Sequence, residues 1–252
     1  MKTFKLTLEY DGTDFSGWQK NPGKRTVQGE LEKALAKLAG GPVATTGAGR
    51  TDTGVHAAGQ VVSLEMEWER GEIRLRSAMN ANLPVDLSVL EAHEVHRGFD
   101  ARRDAASRSY RYTFLVLPVR SSLRERQAYR VERRPNMAMM RSAAALFRGG
   151  HDFAAFCRGG GEGGTLRHLS RCTLSRQGGY LRLDLEGKSF LRHMARSIAA
   201  AVLAAGQGWL DIGRIRAALA GGSRRGLPPM LPARGLMLTG VCYLGERKRM
   251  ML

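Results

Sequence analysis

Apolar and polar residues alternate from Phe4 through Leu6 and Leu8 to Tyr10, the two-residue period of a strand with one buried face. Asp11-Gly12-Thr13 turns the chain, and Val27, Leu31, Leu35 and Leu38 then recur at helical spacing until Gly40-Gly41-Pro42 stops the helix. Short strands are predicted at Val43–Thr46 and Gln60–Leu64, a helix at Ile73–Met79, and a strand at Leu87–Val95. The order is β-α-β-β-α-β. It recurs in the second half. Tyr110, Tyr112, Phe114 and Val116 alternate as a long strand, and Pro135 suits the first turn of a helix continuing over Met139–Phe147. Arg171–Arg176 and Tyr180–Leu185 pair as a hairpin across Gly178-Gly179. Ser189 is expected to cap a helix running to Ala205, Asp211 a shorter one through Leu219, and Leu236–Leu244 forms the last strand.

This pattern predicts an α+β fold of two ferredoxin-like halves with no sequence identity between them. The boundary is expected near Asp104. It gives an N-terminal half over residues 1–104, a strongly basic C-terminal half over residues 105–246 and a basic tail over residues 247–252. The segment Arg158–Thr165 is rich in glycine and is expected to be a mobile loop; it lacks the spacing of a phosphate-binding P-loop.

Composition narrows the function. The longest apolar stretch, Ile198–Ala205, is far short of the ~20 residues a membrane span needs, and the first residues lack the apolar run of a signal peptide. A cytoplasmic protein without a membrane partner is expected. Cys157, Cys172 and Cys242 form no C-x-x-C pair and the histidines no H-E-x-x-H, so no metal site is expected. Net charge is +17, and it is unevenly placed. Residues 1–98 hold 12 basic and 13 acidic side chains, whereas residues 99–252 hold 28 and 10. Such asymmetry points to a polyanion, and with no basic amphipathic helix in sight, to nucleic acid. Arginine supplies 32 of the 40 basic residues, the side chain that pairs with phosphate and stacks on bases.

The segment Gly47-Ala48-Gly49-Arg50-Thr51-Asp52-Thr53-Gly54-Val55-His56-Ala57 lies between two predicted strands, where a loop presents side chains to a cleft. A guanidinium beside a carboxylate favours its ionised form. An ionised carboxylate attacks an electrophilic carbon or takes a proton; the alternative is an Asx turn in which Asp52 binds backbone N–H groups. The run Gly49–Ala57 resembles the signature of the tRNA pseudouridine synthase A family. So do Leu8–Gln19, Thr26–Glu32, Ser109–Tyr112, His151–Phe153, Phe190–Arg196 and Gly235-Leu236, in the family's order and over nearly the whole chain.

The resemblance implies the pseudouridine synthase fold, with mainly antiparallel sheets meeting at a central active-site cleft. It implies isomerisation of uridine to pseudouridine at positions 38, 39 and 40 of the tRNA anticodon arm, with no cofactor, by a homodimer. Asp52 matches the family's catalytic aspartate and nucleophile; attack at C1′, attack at C6 and abstraction of a ribose proton all fit the sequence. Tyr110 matches an active-site tyrosine whose ring stacks on the uracil and whose hydroxyl assists removal of the C5 proton. Arg196 matches an arginine that pairs with the aspartate, Arg50 pairs with Asp52 or a phosphate, and Leu236 packs on the uracil ring. His56 is expected to be structural. Arg102, Arg103, Arg108 and Arg111 are candidates for phosphate contacts. Three rivals stand beside this reading: a non-catalytic RNA-binding module, an aspartate hydrolase, and a sister synthase acting on another RNA. The hydrolase needs a second carboxylate, and none occurs from Thr53 to Leu64.

Overall fold

The computed structural model describes residues 1–159 and 163–245. The centre of the glycine-rich segment (160–162) and the basic tail (247–252) lie outside the described residues. The chain forms two compact units, Met1–Arg108 with Leu238–Leu252, and Ser109–Met237.

The first unit runs β1 (Lys2–Tyr10), α1 (Val27–Ala39), β2 (Thr45–Gly47), β3 (His56–Met66), α2 (Glu72–Asn80) and β4 (Leu87–Val95), the β-α-β-β-α-β order expected. β1 pairs antiparallel with β3 on one side and β4 on the other, and β2 adds to β3 with Thr46 opposite Ser63. Alternation in β1 buries Phe4, Leu6, Leu8 and Tyr10 on one face. β3 is buried on both faces, which is why its first residues, His56-Ala57-Ala58-Gly59, carry no alternating signal. α1 begins at Thr26, whose hydroxyl accepts from the Gly29 N–H at 3.2 Å, and ends at Gly40 with φ 72°. Its buried Leu31 and Leu35 face the core. The last strand, β10, covers Leu236–Tyr243, and from Leu238 it belongs to this unit. It lies beside β3, where a Cβ on Gly59 would approach the Gly240 Cα to 3.1 Å.

The second unit holds most of β5 (Ala105–Val116), then β6 (Tyr129–Val131), α3 (Met137–Ala145), β7 (Gly149–Asp152), β8 (Leu166–Gln177), β9 (Tyr180–Gly187), α4 (Met194–Gly206) and α5 (Ile212–Leu219). Its strand order is β5-β9-β8-β7, with β6 parallel on β5. The β8–β9 hairpin turns at Gly178, as predicted. β6 and β7 elaborate the expected plan. Buried Phe147, Phe153 and Phe156 pack ring against ring, with Phe147 and Phe156 centroids 5.0 Å apart.

Three helix starts depart from expectation. Ser189 is exposed and does not cap α4; the helix begins at Met194 because His193 takes φ 66°, a left-handed conformation that a right-handed helix does not pass through. Pro135 precedes α3 rather than opening it, and Asn136 is the cap, accepting from the amides of Ala138 and Met139. Asp211 occupies the cap position of α5, but its side chain makes no capping hydrogen bond. Among the described residues, no helix is long and apolar enough to cross a membrane.

Candidate active site

Asp52 sits in the link between β2 and β3, half-buried, with Arg50 exposed two residues before it. The link is pinned along its length. Ala48 N–H donates to the Val61 carbonyl at 2.8 Å, and the Gln60 amide bonds Gly49 from both ends, donating to its carbonyl at 2.6 Å. The Tyr10 hydroxyl is 2.8 Å from Thr51 Oγ1. Asp52 then opens a tight turn, its carbonyl accepting from the Val55 N–H at 3.1 Å, with Gly54 at φ 78°.

The segment after β1 forms the floor under this turn. Trp18 N–H donates to the Thr51 carbonyl at 3.0 Å, and Gly17, at φ 88°, leaves no room for a side chain: a Cβ there would lie 2.8 Å from the Thr51 oxygen. A Cβ on Gly12 would lie 2.0 Å from the Val55 oxygen. His56 is buried, its Nδ1 3.1 Å from the Gly12 amide and 3.1 Å from Asp11 Oδ1, which fits the structural role expected of it. The sequence motifs contained Gly12, Gly17 and Tyr10, but the signal that they hold the Asp52 turn lies in tertiary contacts that the linear pattern does not carry.

Arg108, expected as a phosphate contact, is buried at 9% exposure and donates to the backbone carbonyls of Ala48, Arg102 and Ala105. It ties the start of the Asp52 link to the Ala101–Ala105 turn. Arg102 and Arg103 are exposed on that turn. Burial alone would push the Asp100 carboxyl up, but hydrogen bonds from the Arg103 and Arg102 amides outweigh it and hold the carboxyl below its usual range.

In the second unit Tyr110 is 9% exposed, its ring edge-on to Phe190 at 4.8 Å. Tyr112, two residues on, is fully buried. Its hydroxyl donates to the Pro232 carbonyl at 2.8 Å, and burial pushes that hydroxyl's pKa far up. A Cβ on Gly235 would strike the Tyr112 ring at 2.6 Å, so Gly235 is the residue that lets this turn lie on the tyrosine. α4 is buried at every position but one, Arg196, whose Nε donates to the Leu231 carbonyl at 2.7 Å. Arg196 and Tyr112 thus hold Leu231 and Pro232 at the start of the segment that leads to the buried Leu236, and the Tyr112 ring lies against Gly235 at its end. Arg111 is paired with Asp184, Nε to Oδ1 at 2.8 Å.

The geometry is a carboxylate on a rigid loop in one unit and an aromatic, cationic and apolar set in the other. The family described as tRNA pseudouridine synthase matches residues 7–102 and 143–244, which include Arg50, Asp52, Arg196 and Leu236 but not Tyr110. A protein named tRNA pseudouridine synthase A from Neisseria gonorrhoeae (strain NCCP11945) is 44% identical over 242 residues, covering 95% of this chain and 91% of the relative. One of the same name from Geobacter sp. (strain M21) is 40% identical over 245 residues, covering 96% and 99%. A third, from Methylobacterium nodulans, is 40% identical over 248 residues, covering 96% of each. With both sequence segments matched and relatives aligned almost end to end, the chain belongs to the tRNA pseudouridine synthase family.

Proposed function

We propose that the enzyme isomerises uridine to pseudouridine at positions 38, 39 and 40 in the anticodon arm of tRNA, with Asp52 as the catalytic nucleophile. The N1–C1′ bond breaks, the uracil turns, and a C5–C1′ bond forms; C5 loses a proton and N1 gains one, so composition is unchanged. The observation that carries the assignment is the Asp52 turn, a carboxylate on a loop held from beneath by Gly12, Gly17 and Trp18 within a segment matched by the family. Rigid placement supports attack on a defined atom. Tyr110, Arg50, Arg196 and Leu236 are assigned to substrate. Tyr110 stacks on the extruded uracil and its hydroxyl assists departure of the C5 proton. The target base leaves its stack at a cost that stacking and hydrogen bonds in the pocket offset. The family resemblance further supports a cytoplasmic homodimer.

Tritium release from tRNA labelled at uridine C5 tests the reading, because forming the C5–C1′ bond expels that hydrogen. Wild type is expected to release tritium, and Asp52→Asn to bind tRNA equally while releasing none. Release by both proteins would remove Asp52 from the chemistry, and tight binding without release by wild type would leave an RNA-binding module.

A further inference from the structure

At the C-terminal end of α4 the second unit opens a groove of about 600 Å³, within the range of ligand pockets. Asn136, Met139, Gln207, Trp209 and Asp211 line it. Trp209 is 83% exposed, against 2% for Trp18, and a Cβ on its neighbour Gly208 would meet nothing within 4 Å, so that side of the groove has no side-chain wall. Asp211 is exposed and makes no capping hydrogen bond to the first turn of α5, although its Oδ2 lies over Gly213, where a Cβ would approach it to 2.6 Å. Met139 is also partly exposed.

We propose that this groove is a second RNA-contact site, in which an unpaired base of the bound tRNA stacks on the Trp209 indole and donates its exocyclic amino group to Asp211. The proposal rests on tRNA being the substrate. Charge selects the occupant. Residues 109–237 carry 22 basic and 7 acidic side chains, net +15 of the chain's +17. Exposed Arg133, Arg134 and Arg141 stand within three residues of Asn136 or Met139 in the chain, supplying cations for the flanking phosphates. An indole serves any base face, and a carboxylate beside it favours bases with an amino donor. The groove and Arg196 lie toward opposite ends of α4, about 15 Å apart at 1.5 Å per residue, so the contact is separate from the candidate site.

The test measures tRNA binding, single-turnover tritium release and sedimentation for wild type, Trp209→Ala and Trp209→Phe. Loss of one base stack is expected to weaken binding by roughly fivefold to a hundredfold in Trp209→Ala. Trp209→Phe should recover most of the loss, and the single-turnover rate at saturating enzyme should match wild type. Binding by Trp209→Ala within twofold of wild type would overturn the proposal. So would a change in oligomeric state without RNA, which would assign the groove to a second copy of this chain. If wild type binds tRNA but releases no tritium, the isomerase reading fails while the binding comparison still judges Trp209.

Discussion

Gly12 and Gly17 perform no chemistry, yet the position of Asp52 depends on them. Each lies where a methyl group would collide with the backbone of the Asp52 turn, at 2.0 Å from the Val55 oxygen and 2.8 Å from the Thr51 oxygen. A backbone carbonyl cannot swing aside as a side chain does, so the turn itself must move. Gly40 provides the control: its φ of 72° resembles the 88° of Gly17, but a Cβ there meets nothing within 4 Å. Gly40→Ala is expected to cost about 1 kcal/mol from its left-handed backbone alone, with tritium release per folded molecule unchanged. Gly17→Ala is expected to cost more, about 2–3 kcal/mol, and to lower release by at least tenfold under conditions where the protein stays folded. Denaturant titration and the release assay together make the comparison. Equal behaviour of the two variants would mean that the floor does not position Asp52. At this scale the sequence showed Asp52, Tyr110 and Arg196 as candidates through their motifs. It did not show that Arg108 serves the interior, because an arginine that will bond three carbonyls reads in sequence like any other cation.

Elements were legible where their period was expressed and obscure where a single backbone angle decided the outcome. β4 was expected over Leu87–Val95 and has those bounds, and α1 stops at Gly40, the first glycine of the stop the sequence offers. α4 carries a strong apolar signal, but its start is set by His193 in a left-handed conformation, which no apolar period reveals. β6 and β7 have three and four residues, too short to show alternation, and Gly149-Gly150 in β7 has none to show. β5 extends back to Ala105 through small and polar residues that the aromatic alternation beginning at Tyr110 does not include. The cap of α1, which the apolar period does not show, makes a testable contribution. Thr26 is 1% exposed and its hydroxyl serves the Gly29 amide, so Thr26→Ala leaves that donor at the start of α1 without its partner. The expected loss is about 1–2 kcal/mol, or about 2–4 °C for each kcal/mol in a chain of this size, read by thermal melting. No change in melting would show that the amide finds another partner.

Across the whole molecule the charge is divided unevenly between the two units. The unit with Asp52 has 18 basic and 16 acidic residues, close to balance, while residues 109–237 hold net +15. The excess was visible in the sequence, and the structure adds that part of it is committed inside the protein: Arg196 to a carbonyl and Arg111 to a carboxylate. The remaining exposed arginines are what a polyanion meets. Binding that depends on them must release counterions from the RNA, so affinity falls as salt rises. Raising salt from about 50 to about 200 mM is expected to weaken tRNA binding by roughly a hundredfold or more, as for four or more phosphate contacts. The single-turnover rate at saturating enzyme should change little, because in the proposed reaction the chemical step draws on the loop around Asp52 rather than on the solvated surface. Replacing exposed Arg133 and Arg134 with glutamine should lower the slope of log affinity against log salt by up to about two, one contact for each residue. Replacing Arg108, which is buried against three carbonyls, should instead reduce stability and leave the slope as it was. An equal fall in slope for both substitutions would mean that the buried and exposed arginines do not divide the work in this way.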